Sequence, residues 1–381
     1  MADHHALSMD AVDCPALAAL RWDEPPEGPV IVLLDQRRLP SQEVELVCTD
    51  VPALVEAIRT LAVRGAPLLG IAGAYGVVLA AVRGFDADEA AGMLAGARPT
   101  AVNLAYGVRR ALAAYHRAVD GGLSAERAAK AALAEARALH REDAEASERM
   151  AAHGLALLEE LVPGGGYQLL THCNTGALVS GGEGTAFAVA AAAHRAGQLR
   201  RLWVDETRPL LQGARLTAYE ASRAGMAYTL LADNAAGSLF SSGEVDAVLI
   251  GADRVTADGS VANKVGSYPL AVLARYHHVP FVVVAPSTTL DFGTADGSGV
   301  EVEQRPGQEV TDFAVPGEAG TVASVPVAPV GTQVYNPAFD VTPPELVTAI
   351  VTENGVVSPV TKVGLAQLCA RSRSGNGMMS I

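Results

Sequence analysis

The hydrophobic period of this 381-residue chain changes at Val162-Pro163-Gly164-Gly165-Gly166, and that change constrains the fold more than any other feature. Beyond it, short apolar runs recur at 167–170, 202–204, 227–231, 247–250 and 281–285. Helical patterns separate them at 184–196, 214–224, 235–241 and 266–277. Strands alternating with helices predict right-handed βαβ units and a parallel sheet covered on both faces. Ligands of such sheets sit beyond the carboxyl ends of the strands. Before the break the pattern differs. Segments 30–34 and 43–48 read as strands of a small sheet, Thr49-Asp50 starts a helix with Pro52 in its first turn, and residues 54–161 are helical. Their clearest amphipathic segments are 127–139 and 141–161. The expected fold is α/β: an N-terminal domain, 1–163, of small β-sheet plus helical bundle, then a Rossmann-like parallel-sheet domain, 164–381. Residues 291–335, rich in Gly, Pro, Thr and Glu, read as a long loop with an edge strand or two.

Half the residues are hydrophobic and only 5% are aromatic, a mix that suits an α/β protein with a large core. The net charge of −14 argues against a nucleic-acid or anionic-membrane partner. A small anionic ligand stays open, because a few arginines and helix N-termini hold a phosphate inside an acidic protein. Cys14, Cys48, Cys173 and Cys369 are scattered without CxxC spacing, so neither a disulfide framework nor a zinc site is expected, and the cytoplasm is the expected compartment. Residues 1–12 lack the apolar core of a signal peptide, His4-His5 is too short for a metal claim, and charges and glycines break every apolar run before membrane-spanning length.

Five clusters carry the chemistry. Thr171-His172-Cys173-Asn174-Thr175-Gly176-Ala177-Leu178 puts a thiol after an apolar run and at an expected helix start, where the dipole favours a thiolate. The run 247–250 ends in Gly251-Ala252-Asp253-Arg254 and supplies an acid at a second strand end. A lone cysteine is more often a small buried hydrophobe, and an acid after a strand is often a turn former. Their common placement with Asp205 and Asp233 outweighs either alone. Arg64-Gly65-Ala66 offers a guanidinium and backbone donors to a phosphate, or a plain turn. Arg98 precedes Pro99 at a helix start, and Gln212 lies on a polar crest after a strand. Asn263-Lys264 is read as the start of a helix, placed to hold an anion or merely to cap. Gly70, Gly73 and Gly76 fit close helix packing rather than a dinucleotide fingerprint. His172, adjacent to Cys173 on the strand, should point away from the thiol. No Walker A, HExxH or GxSxG motif is present, so no metal and no cofactor are expected.

Taken together, these stretches resemble the methylthioribose-1-phosphate isomerase family of methionine salvage. The resemblance runs from Leu33-Leu34-Asp35-Gln36-Arg37 through the clusters above to Asn336-Pro337-Ala338-Phe339-Asp340 and Thr352-Glu353. Tyr106 and Tyr219 stand where the family has tryptophan, and Asn354 where it has lysine. The resemblance implies an aldose–ketose isomerase acting on a small sugar phosphate, with Cys173 and Asp253 as the catalytic pair. It further implies substrate binding by Arg64, Gly65, Ala66, Arg98, Gln212, Asn263 and Lys264, and a homodimer. The same fold serves ribose-1,5-bisphosphate isomerases and regulatory subunits of a translation-initiation exchange factor, which are the alternative functions.

Overall fold

The computed structural model describes residues 17–98, 101–316 and 322–375. The readings of residues 1–12, His4-His5, Cys14, Pro99 and the tail from 376 concern positions outside these. The chain opens with an antiparallel sheet of β1 (Leu20–Asp23), β2 (Val30–Leu34) and β3 (Glu45–Cys48). Asp50 then caps α1 (Val51–Arg59), its carboxylate accepting from Ala53 N at 2.8 Å, with Pro52 in the tolerant first turn. Next come α2 (Ala66–Val82), α3 (Ala87–Ala95), α4 (Val102–Asp120) and α5 (Ala125–Leu161). The α2 glycines are a packing stripe, as expected. A Cβ at Gly70 would lie 2.8 Å from Asn103 O, and one at Gly76 2.8 Å from Leu54 and Leu94.

The segments 127–139 and 141–161 are one helix rather than two. No glycine or proline interrupts α5 between them. What breaks there is the core it faces: Ala132, Ala136 and Leu139 pack with the N-terminal helices, whereas Ala146, Met150, Leu157 and Leu158 pack against the large sheet. A helix that changes partners midway shifts its apolar stripe, and the sequence pattern reads as a gap.

After the glycine break come β4 (Tyr167–Thr171), α6 (Ala186–Arg195), β5 (Leu199–Asp205), α7 (Ala218–Arg223), β6 (Tyr228–Leu231), α8 (Ala236–Ser241) and β7 (Ala247–Ile250). A short excursion, β8 (Arg254–Thr256) and β9 (Val261–Lys264), precedes α9 (Ser267–Tyr276) and β10 (Phe281–Val284). The segment read as a loop holds β11 (Leu290–Asp291), α10 (Gln308–Thr311) and a hairpin of β12 (Asp312–Pro316) and β13 (Val322–Pro326). The chain closes with β14 (Phe339–Thr342), β15 (Ala349–Thr352), β16 (Gly355–Val357) and α11 (Lys362–Gly375).

The large sheet has the order β16-β15-β10-β7-β4-β5-β6, parallel except for β16. Its central strands β4, β7, β10 and β15 are buried at every position, which is why they read as unbroken apolar runs. From β4 the chain builds outward through β5 and β6, then returns to the other side of β4 with β7. The β4–β7 boundary is therefore the topological switch point, where the crevice of an open α/β sheet lies. A second sheet, β11-β8-β9-β14, stands beyond it. No helix among the described residues is long and apolar enough to cross a membrane.

Candidate active site

Cys173 follows β4 and Asp253 follows β7, so the switch point brings thiol and carboxyl to one pocket. The residues Arg64, Gly65, Ala66, Arg98, Gln212, Asn263 and Lys264 line the same pocket. All nine positions singled out in the sequence thus meet. They come from six separate segments of chain.

Two local expectations are corrected. No helix begins at Cys173: the chain leaves β4 with Cys173 at φ 63°, makes a 3₁₀ turn at Ala177–Val179, and starts α6 only at Ala186. The positive environment of the thiol comes from side chains instead, since Arg64 and Lys264 both interact electrostatically with it. Asn263-Lys264 does not start a helix either. The pair ends β9, where it is matched to Asp340 and Phe339 of β14, and α9 starts after Gly266. An Asn–Lys step before a small-residue turn carries the same composition at a strand end as at a helix cap.

The loop carrying Cys173 is braced in an uncommon conformation. Its backbone N–H donates to Thr207 Oγ1 at 2.8 Å, and Thr207 itself has φ 66°. Asp233 holds that turn by accepting from Thr207 N and Arg208 N, each at 2.7 Å. Left-handed conformations in non-glycine residues cost about 1–3 kcal/mol each and gather where geometry serves function. Gly65, at φ 91°, lets the chain pass against Val179; any side chain there would collide with it.

Charge is concentrated and buried. Burial raises the Asp253 carboxyl above its ordinary range; Lys264, Arg98 and Arg64 oppose the rise, and Glu303 adds to it. Burial likewise lowers the Lys264 ammonium, against the pull of Cys173 and Asp253. Lys264 Nζ sits 5.0 Å from the centre of the Phe339 ring. Two polar atoms of the site, Arg64 Nε and Gln212 Oε1, are buried with no hydrogen-bond partner among the described residues. Orphaned polar atoms in a pocket fit a polar ligand that completes them.

Several participants were not singled out in the sequence. Glu303 and Arg305 come from the segment read as loop: Glu303 accepts from Arg98 at 2.9 Å and from Arg305 at 2.8 Å, and Arg305 lines the pocket. Asn174 and Glu220 stand behind Arg64. His172 points away from the thiol, as expected. Its Nδ1 lies 3.0 Å from Asp205 Oδ2 and its Nε2 2.9 Å from Val265 O. Burial opposes a charge on this ring, but the hydrogen bond and charge of Asp205 outweigh it and raise the pKa. Only the doubly protonated ring satisfies both acceptors. His172, Asp205 and Asp233 have the spacing of a metal cluster; both His172 nitrogens, Asp205 Oδ2 and both Asp233 oxygens already serve this hydrogen-bond network, while Asp205 Oδ1 is buried with no hydrogen-bond partner among the described residues.

This pocket places a thiol, an acid and several cations at the switch point of an α/β sheet, the layout of an enzyme acting on a small anion. Residues 62–359 match the model of the initiation factor 2 subunit family. The methylthioribose-1-phosphate isomerase of Anaeromyxobacter sp. (strain Fw109-5) is 48% identical over 90% of this chain and 95% of its own length. The crystal structure of 5-methylthioribose 1-phosphate isomerase from Pyrococcus horikoshii OT3 is 36% identical, with a TM-score of 0.81, and covers 95% of this chain and 100% of its own. A solved chain described as translation initiation factor eIF-2B, subunit delta, from A. fulgidus is 40% identical, with a TM-score of 0.76, over 93% of this chain and 100% of its own. The chain belongs to the initiation factor 2 subunit family and, within it, to the methylthioribose-1-phosphate isomerases.

Proposed function

We propose that this chain converts 5-methylthioribose 1-phosphate to 5-methylthioribulose 1-phosphate, an aldose–ketose isomerisation of methionine salvage, with Cys173 and Asp253 as the catalytic pair. The observation that carries the residue assignment is their convergence beyond two adjacent strands, among Arg64, Arg98 and Lys264.

The phosphate ester on the anomeric carbon prevents spontaneous ring opening, so the enzyme must break the ring C1–O bond itself. Asp253, whose carboxyl burial shifts toward the protonated form, gives its proton to the ring oxygen as that bond breaks. The hydrogen on C2 moves to C1 and the C2 hydroxyl loses its proton, leaving a C2 ketone with the phosphate ester intact. Cys173 is the base for the departing proton. Arg64, Arg98 and Lys264 hold the phosphate; Gly65 and Ala66 add backbone donors at the start of α2, and Gln212 and Asn263 bind the sugar. Hydrogen transfer by proton exchange and by direct hydride shift both use these groups. Deuterium at C1 of product formed in heavy water excludes a purely direct shift.

The bisphosphate alternative needs a second cation cluster. The adjoining cleft does carry arginines, but Arg37 is paired with Asp35, and Arg215 donates to the carbonyls of Gln36, Leu39 and Leu210. A regulatory subunit has no use for a thiol–acid pair. Parallel assays with 5-methylthioribose 1-phosphate and ribose 1,5-bisphosphate test the assignment. A higher kcat/KM for the bisphosphate overturns it.

The active species is proposed to be a homodimer in the cytoplasm. Exposed apolar residues on the edge strand β6 (Tyr228, Leu230) and on α9 (Tyr268, Val272, Tyr276) support self-association, and the free thiols Cys48 and Cys173 suit a reducing compartment. Light scattering at micromolar concentration measures the former.

A further inference from the structure

Behind Arg64 lies a buried relay that the proposed chemistry does not use. Arg64 Nη2 donates to Asn174 Oδ1 at 2.7 Å. The other end of that amide, Asn174 Nδ2, donates to Glu220 Oε2 at 2.5 Å and to Thr217 Oγ1 at 3.2 Å. The second carboxylate oxygen, Glu220 Oε1, accepts from Leu178 N at 3.0 Å. Glu220 lies on α7, and its carboxylate fills the space where a side chain at residue 176 would stand, which is why that position is a glycine. One carboxylate thus fixes an amide, and the amide fixes the guanidinium facing the pocket.

We propose that Glu220 is a positioning residue of the site: through Asn174 it aims Arg64 at the anionic group of the ligand, so that anion affinity rises when Glu220 is ionised. The inference rests on the proposed sugar-phosphate function for its ligand class, but none of the relay's hydrogen bonds goes to the Cys173 thiol or the Asp253 carboxyl; its link to Cys173 is through the backbone, where Thr217 Oγ1 donates to Cys173 O at 2.6 Å. The argument is one of hydrogen-bond parity. Both oxygens of Glu220 meet N–H donors, so a proton on either oxygen removes the charge that strengthens these bonds and competes with the donor from Asn174 or Leu178. A rotated Asn174 amide would turn its own N–H groups toward the guanidinium. The protonated acid therefore holds Asn174, and through it Arg64, less firmly.

The switch falls near neutrality. Burial raises Glu220 to about 7, against the hydrogen bonds from Asn174 and the backbone and the charge of Arg64. Arg64 is the charged group that faces it. On its own helix, Tyr219 and Arg223 turn instead to Glu43. Below pH 7 anion binding weakens, and above it binding is at full strength.

The test uses sulfate as a competitive probe, because it does not titrate between pH 5.5 and 9, unlike a phosphate ester with its second pKa near 6. Its dissociation constant is measured by calorimetry for the full-length wild type, Glu220→Gln, Asn174→Ala and the double variant. Wild type should bind sulfate about tenfold more weakly at pH 5.5 than at pH 8.5, the loss of one charge-assisted hydrogen bond. Glu220→Gln carries N–H groups where an acceptor is needed. It should bind weakly at both pH values with no inflection near 7, and the double variant should be no worse than either single one. With the sugar phosphate, KM should rise while kcat stays within about threefold, a split that a collapsed loop would not give. Sulfate affinity in Glu220→Gln equal to that of the wild type at both pH values overturns the proposal. If that variant does not fold, Asn174→Ala decides it: a pH dependence of sulfate binding unchanged from the wild type overturns the relay. Failure of the wild type to turn over 5-methylthioribose 1-phosphate would count against the function, not against the relay.

Discussion

Cys173 and Thr207 hold each other in the left-handed region: the Cys173 N–H donates to Thr207 Oγ1 at 2.8 Å, with φ of 63° and 66° at the two residues. The hydroxyl ties the end of β4 to the turn after β5. It also donates to Asp205 O at 3.1 Å. Thr207→Val keeps the shape and removes both bonds. It should lower stability by about 1–3 kcal/mol, as buried donors and acceptors lose their partners, and lower kcat by at least about tenfold. Thr207→Ser should retain most of both. Chemical denaturation and steady-state kinetics read the two effects.

Arg98 and Glu303 pair across the rim of the pocket, and Glu303 also pushes the Asp253 carboxyl upward. Glu303→Gln should therefore do two things. It should ease the phosphate's access to Arg98 and lower KM by a few-fold, and it should lower the pKa of Asp253. With the protonated acid as the proposed active form, the alkaline limb of the kcat/KM profile should move to lower pH. A limb that stays in place would remove Asp253 from the role of proton donor.

Much of this site was legible in the sequence, for a physical reason. A parallel sheet buries whole strands, so its strands print as apolar runs, and reactive residues just past two runs fall at one edge. That logic brought Cys173 and Asp253 together before any coordinates. It failed where composition does not distinguish structures. Asn263-Lys264 ends β9 rather than starting a helix, and Cys173 enters a 3₁₀ loop rather than a helix. Glu303 was hidden because a segment with little periodicity is recruited by one ion pair to Arg98, distant in sequence. Glu220 was hidden because a glutamate on a short helix looks solvated until its burial is known.

Glycine substitutions separate crowding from strain. At Gly65, φ 91°, an added methyl meets both a disfavoured backbone and Val179; at Gly84, φ 77°, it meets the backbone strain alone. Gly84→Ala should cost about 1 kcal/mol. Gly65→Ala should cost at least about 2 kcal/mol more, from overpacking, and should raise KM by displacing Arg64. Thermal denaturation of the two variants side by side makes the comparison.

The His172–Asp205 pair gives the fold a pH dependence of defined sign. His172 has a folded pKa raised above its unfolded value. Its stabilisation is complete below the unfolded pKa of about 6.5 and is lost as pH rises through the folded value. Wild-type stability should decline as pH rises above the unfolded value of about 6.5. His172→Gln should be less stable at pH 6 and should lack this part of the decline. Urea denaturation across pH 6–9 follows both.

The central claim is that one thiol and one acid, beyond adjacent strands, perform the isomerisation. Its most direct test is a phosphorus NMR time course with 5-methylthioribose 1-phosphate and purified wild type, Cys173→Ser and Asp253→Asn, each verified as folded by circular dichroism. The account predicts conversion to the ketose phosphate by the wild type and its loss, by at least about a thousandfold, in both variants. Conversion at a near wild-type rate by either folded variant would contradict it.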